Sequence, residues 1–91
     1  MENEEAKNRL RERLNEVHQW PSVYMFTFVL EPDDAKLEAL LALFPKESEV
    51  LRRYSVGGKY VSITVKEVMM NADEVVARHD KASSIPGVIV L

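Results

Sequence analysis

Residues 53–65 read Arg53-Tyr54-Ser55-Val56-Gly57-Gly58-Lys59-Tyr60-Val61-Ser62-Ile63-Thr64-Val65. Two β-prone runs meet there at a glycine pair, which is the signature of a hairpin. Both glycines can take positive φ without a steric penalty, so a two-residue primed turn is expected at Gly57-Gly58. That turn would set Val56 opposite Lys59, Ser55 opposite Tyr60, Tyr54 opposite Val61 and Arg53 opposite Ser62. Alternation then sends Val61, Ile63 and Val65 to a core face, and Tyr60, Ser62 and Thr64 to the other.

Working outward, residues 49–56 and 59–69 are the two arms of this hairpin. Before it, Ser22–Leu30 alternates Tyr24, Phe26, Phe28 and Leu30 with Val23, Met25, Thr27 and Val29. Both sets are largely apolar, as suits a central strand. Glu31-Pro32-Asp33-Asp34 opens a helix, with acidic side chains at its positive end. Leu37, Leu40, Leu41 and Phe44 follow at i, i+3, i+4 and i+7, and Pro45 closes the segment. After the hairpin, Asn71 is placed to cap a further helix with the stripe Ala72, Val75, Val76, His79 and Ala82 or Ser83. Ser84-Ile85-Pro86-Gly87 breaks it, and Val88–Leu91 forms a last strand. His79 is read as a polar position at the margin of its stripe.

The order from Ser22 is strand, helix, strand, strand, helix, strand. Right-handed crossovers place both helices on one face of the sheet. The expected fold is α+β, a ferredoxin-like split β-α-β sandwich with an antiparallel sheet in the order 4-1-3-2 and one face free of those helices. The expected core includes Phe26, Phe28, Leu40, Leu41, Phe44, Val61 and Ile63. Residues 3–18 form an additional helix carrying a narrow stripe, Ala6, Leu10, Leu14 and Val17. It is ended by Trp20-Pro21, because a residue before proline disfavours the helical region. An isolated helix of this length is marginal in water. It is therefore expected to dock on the free sheet face near Met25 and Val29, or on a second copy. The division is residues 1–19 for this helix and 20–91 for the ferredoxin-like domain.

Composition bounds the rest. The 91 residues suit one modest core. No apolar run approaches membrane-spanning length, and the acidic opening is unlike a secretory signal. With no cysteine, disulfide and thiolate chemistry are excluded. These features together point to a cytoplasmic protein. Acidic residues outnumber basic ones, 15 to 12, which argues against a dedicated nucleic-acid binder.

The Arg53–Thr64 block resembles the R/K-P-S-S-K-G-K/N-Y-x-S-x-(S/T) segment of the small bacterial YbeD-like family. Trp20–Leu30 is similar to that family's aromatic-proline opening, and Val88–Leu91 to its closing apolar strand. The family's proline, strand lysine and glycine are replaced here by Tyr54, Thr27 and Leu30. The resemblance implies a ferredoxin-like domain akin to the small-ligand regulatory domains called ACT, with no established enzymatic activity. Its signature positions are Arg53, Ser55, Gly58, Lys59, Tyr60 and Ser62.

Other chemistry finds little support. Gly58-Lys59 lacks both the earlier glycine and the following hydroxyl residue of a phosphate loop, since those positions hold Arg53 and Tyr60. His18 and His79 stand far apart with no cysteine, so no metal site and no cofactor are assigned. Ser55 and Ser62 have no histidine near them in sequence, so no catalytic residue is assigned. An RNA-binding RRM-like domain shares the element order, but stacks bases on several exposed aromatics, where this hairpin offers Tyr60 alone. The expectation is a non-enzymatic regulatory or interaction module. Its candidate binding residues are Arg53, Ser55, Gly58, Lys59, Tyr60, Ser62 and Thr64. Its candidate partners are a protein or small-molecule ligand, with a homodimer as one form, and neither nucleic acid nor membrane.

Overall fold

The computed structural model describes residues 4–91. Seven elements follow in order: α1 (Glu4–Val17), β1 (Ser22–Leu30), α2 (Asp34–Leu41), β2 (Glu49–Tyr54), β3 (Val61–Met69), α3 (Ala72–Ser83) and β4 (Ile89–Val90). The strands form one antiparallel sheet, β2-β3-β1-β4, which reads 4-1-3-2 from the opposite edge when α1 is left aside. The molecule is thus a small α+β fold of three helices and an open four-stranded sheet. Among the described residues, no helix is long and apolar enough to cross a membrane.

The two long central strands carry the core. Phe26, Phe28 and Leu30 of β1 pair in register with Val65, Ile63 and Val61 of β3, and all six are buried. Period-two alternation puts them on one face, and α3 lies over that face with Ala72, Val75, Val76, His79 and Ala82 buried. Asn71 caps α3 as its sequence position suggests, its side chain accepting from Glu74 N at 2.9 Å. Glu74 in turn accepts from Met70 N at 2.9 Å. At α2, Asp33 is the N-cap and accepts from Lys36 N at 3.1 Å.

Four expectations need correction. α2 stops at Leu41, and Phe44 reaches the core from the turn that follows, where Leu43 and Phe44 donate to the carbonyls of Leu40 and Leu41. Leu41 is only half-buried, because the short helix does not extend over β2. β4 is reduced to two residues, as Gly87 takes positive φ in the turn that leads into it. The largest difference concerns α1, which lies beside α3 on the helical face of the sheet, leaving the other face uncovered.

The reason is visible in the contact face of α1. Leu14 joins the core and Leu10 packs against it, while Val17 is 78% exposed. The face that meets the protein is Lys7, Leu10, Arg11, Leu14 and, just past the helix, His18. Lys7 Nζ lies 3.1 Å from Asp80 Oδ2, and Arg11 Nε donates to Asp73 Oδ1. Two cations inside the stripe are matched by two carboxylates on α3, so a mixed face, rather than a purely apolar one, selects the docking site.

Candidate functional site

The face left open is built by the outward residues of all four strands. Register places them in rows. Arg53, Ser62, Val29 and Ile89 form one row. Leu51, Thr64 and Thr27 form the next, extended by Leu91, whose N donates to Thr27 O at 3.0 Å. Glu49, Lys66 and Met25 make the third, and Val68 with Val23 the fourth. Val23, Met25, Leu51, Val68, Ile89 and Leu91 are all more than half exposed. Within this face Lys66 Nζ lies 4.0 Å from Glu49 Oε2, both side chains being solvated. The surface is flat, with an apolar β1–β4 half and a mixed-charge β2 border.

The hairpin closes at one end of this face. Strand pairing ends at Tyr54 and Val61, and Ser55 then opposes Tyr60, its N donating to Tyr60 O at 2.9 Å. The expected two-residue turn is replaced by one that begins earlier, with Gly58 N donating to Ser55 O at 2.8 Å. Gly57 at φ +85° is therefore the third residue of a turn whose second is Val56, the position that a type II turn reserves for glycine. Val56 and Lys59 do not pair, and Val56 stands fully in solvent. The Ser55 hydroxyl accepts from Tyr60 N at 2.9 Å, which commits it to holding the loop.

The candidate residues thus separate. Arg53, Ser55, Tyr60 and Ser62 surround a shallow recess of about 200 Å³ together with Val29 and Tyr54. Thr64 lies one row further along the open face, and Gly58 and Lys59 occupy the exposed loop, where Lys59 Nζ sits 5.5 Å from the Tyr60 ring centroid. The recess brings together one guanidinium, two serine hydroxyls and two phenols. That set can hydrogen-bond a partner, but it contains no base beside a hydroxyl nucleophile. Among the described residues there is no group of three or more side chains suited to hold a metal ion.

Two concavities on the opposite side of the sheet were not evident from sequence. The first, about 590 Å³, opens between α2 and β2 and is lined by Leu37, Leu41, Phe44, Val50 and Arg52 among others. It exists because α2 ends early and leaves both faces of β2 exposed. The second, about 400 Å³, lies between α1, α3 and β4, lined by Leu10, Tyr24, His79, Ser83, Val88, Val90 and Leu91.

His79 corrects the sequence reading, since it is 6% exposed and central to its stripe. Its ring lies 5.5 Å from Phe26 and 5.9 Å from Tyr24, centroid to centroid. Its Nε2 is buried without a hydrogen-bond partner, an arrangement that costs about 1–3 kcal/mol. Desolvation lowers the His79 pKa below the ordinary histidine value and raises that of the Tyr24 hydroxyl. The available signal was the spacing itself, because His79 follows Val75 and Val76 at four and three residues. The other histidine is engaged locally: His18 Nδ1 is 3.1 Å from Ser22 Oγ, and its ring stacks on Trp20.

No family model, curated protein or solved structure matches the chain.

Proposed function

We propose that this chain is a non-enzymatic interaction module of the ferredoxin-like, split β-α-β class, and that its open sheet face takes a second copy of itself. The observation that carries this reading is the face of Val23, Met25, Val29, Leu51, Val68, Ile89 and Leu91, uncovered by any of the three helices. Exposed contiguous apolar surface of this kind marks an interaction site. Its side chains are mostly β-branched or small and stand on a sheet, so a second sheet packed about 10 Å away fits better than a helix. The border of Arg53, Lys66 and Glu49 holds both signs of charge, which permits a symmetric contact.

Strands about 4.8 Å apart, two of them about 30 Å long, one about 20 Å and one only two residues, present about 400 Å² per copy. Face-to-face pairing would remove on the order of 1,000 Å² in total, the low end for a specific interface. The dimer is therefore a weak one. RNA is the less suited partner: the strand rows of the face offer no ring beyond Tyr60 at the hairpin end, where several would be needed to stack bases, and the chain is net acidic. The likeness of Arg53–Thr64 to the YbeD-like block supports the same class of module.

Sedimentation velocity across a concentration series tests the proposal. The expected result is a monomer–dimer equilibrium with a Kd on the order of micromolar to hundreds of micromolar. It should be abolished by Met25→Lys with Val29→Lys while the Tm is kept. A chain that stays monomeric at about 1 mM would overturn it. So would submicromolar RNA binding at about 0.15 M salt.

A further inference from the structure

Strand β2 is an edge of the sheet, paired with β3 from Glu49 to Tyr54 without a bulge, and all six of its residues are exposed. Just past it, Ser55 N donates to Tyr60 O. Antiparallel bonding alternates, so Arg53, Leu51 and Glu49 bond inward to β3, and the N–H and C=O groups of Val50, Arg52 and Tyr54 point outward. Among the described residues no backbone bond reaches those outward groups. An edge of this length with no proline, and with Val50 and Leu51 exposed, is a template for a further strand.

The side chains specify which strand. Val50 and Arg52 point to the helical side, at the mouth of the hollow beside α2, and Leu51 and Arg53 point to the open face. The ion pairs of the described residues leave both arginines without a carboxylate. Lys46 adds a cation at the hollow, while Asp34 and Glu38 line it from α2, inward of the free edge. Residues opposite one another on neighbouring strands share a face and interact. A strand antiparallel to β2 is therefore best matched by carboxylates opposite Arg53 and Arg52 and by apolar side chains opposite Leu51 and Val50. The residue opposite Val50 also meets the apolar mouth of the hollow, near Leu37 and Leu41. A second copy of β2 fits poorly. Centred on Leu51 it sets Val50 against Arg52, centred on Arg52 it opposes two guanidiniums, and centred on Val50 it sets Leu51 against Glu49.

We infer that the β2 edge docks an extended segment of another protein, reading acidic-acidic-apolar-apolar from its N-terminus, as a fifth strand antiparallel to β2. Main-chain bonds supply the affinity and the four side-chain pairs the specificity. The edge is distinct from the open face, so this inference and the proposed self-pairing stand or fall separately.

The probe is the capped peptide Thr-Glu-Glu-Ile-Leu-Thr, with Thr-Lys-Lys-Ile-Leu-Thr as its counterpart. Both are titrated into the ¹⁵N-labelled full chain and into the Met25→Lys, Val29→Lys variant, which removes the open-face contact. The acidic peptide should bind both proteins with a Kd on the order of 100 μM. It should slow amide exchange at Val50, Arg52 and Tyr54, the three outward groups. The basic peptide should bind roughly tenfold more weakly, and Arg52→Glu with Arg53→Glu should reverse the preference. Binding of neither peptide would overturn the inference and leave the arginines as guards against strand addition. Equal binding of the two would overturn it, as would binding without protection of those three amides. Protection that grows with protein concentration alone would assign the edge to a second copy instead. If the double arginine variant fails to fold, the two peptides on the wild type decide the matter.

Discussion

Arg78 of α3 clasps Glu67 of β3 with two hydrogen bonds, Nη1 to Oε1 at 2.6 Å and Nη2 to Oε2 at 3.3 Å. Glu67 sits on the core side of its strand between Val65 and Met69, where a carboxylate without a partner would be costly. The same guanidinium lies over the Phe44 ring, 4.6 Å from its centroid, and so fastens the turn after α2 to α3. Both side chains are about one-fifth exposed, so water offsets part of a loss. Arg78→Met should cost about 1.5–3 kcal/mol in urea unfolding, the range for charge-assisted bonds. Glu67→Gln, which keeps an acceptor for the guanidinium, should cost less than Arg78→Met. A smaller loss for Arg78→Met than for Glu67→Gln would contradict this account of the pair.

The seating of α1 on α3 makes a charge-swap prediction. Lys7→Glu places a second carboxylate beside Asp80 and should loosen the helix, seen as faster amide exchange across residues 4–17. Asp80→Lys made in the Lys7→Glu background should restore much of the protection, because the pair is re-formed with reversed sign. The same swap at Arg11 and Asp73 should have a weaker effect, since Asp73 is largely exposed.

Buried His79 makes stability depend on pH. Its folded-state pKa lies below the unfolded value near 6.5, chiefly through desolvation. Between the two values the unfolded chain binds the extra proton, so stability rises with pH there. The histidine contribution is fully present above about pH 6.5 and is lost as the pH falls toward the folded value. The Tm of the wild type should decline between pH 7 and 5 more steeply than that of His79→Phe. Parallel curves for the two proteins would show that His79 is not the group responsible.

The hairpin turn should respond to side chains through its backbone alone. A Cβ added at Gly57 or Gly58 meets nothing within 4 Å, yet both residues have positive φ, at +85° and +72°. Gly57→Ala and Gly58→Ala should each cost about 1–2 kcal/mol. Gly58→Asn should cost less than Gly58→Ala, as asparagine visits this region more readily. Thermal melts distinguish the two.

Much of the architecture was legible because it rests on local periodicity. Alternation identified the buried face at Phe26 and Phe28 and at Val61, Ile63 and Val65, and the hairpin register from Arg53–Ser62 to Ser55–Tyr60 is the one the sequence spacing implied. The Asn71 cap and the apolar stripe of α3 were equally plain, since each depends on residues within one or two turns of the helix. The turn itself was placed one residue late. Two adjacent glycines permit several loops, and the Ser55 hydroxyl bond to Tyr60 N favours the longer one.

The sequence alone determined the order of strands and helices, which side of the two central strands is buried, and that one sheet face escapes the two crossover helices. The position of α1 was decided only in three dimensions. Its docking face includes Lys7 and Arg11, which look solvent-bound until Asp80 and Asp73 of α3 stand opposite them. The same holds for the candidate sites. Whether Arg53, Ser55, Tyr60 and Ser62 share a recess depends on strand register and on the path of the loop. The hollow beside the β2 edge exists only because α2 stops at Leu41. Periodicity reports the environment a side chain seeks, whereas the gaps between packed elements arise from how their lengths and charges fit together.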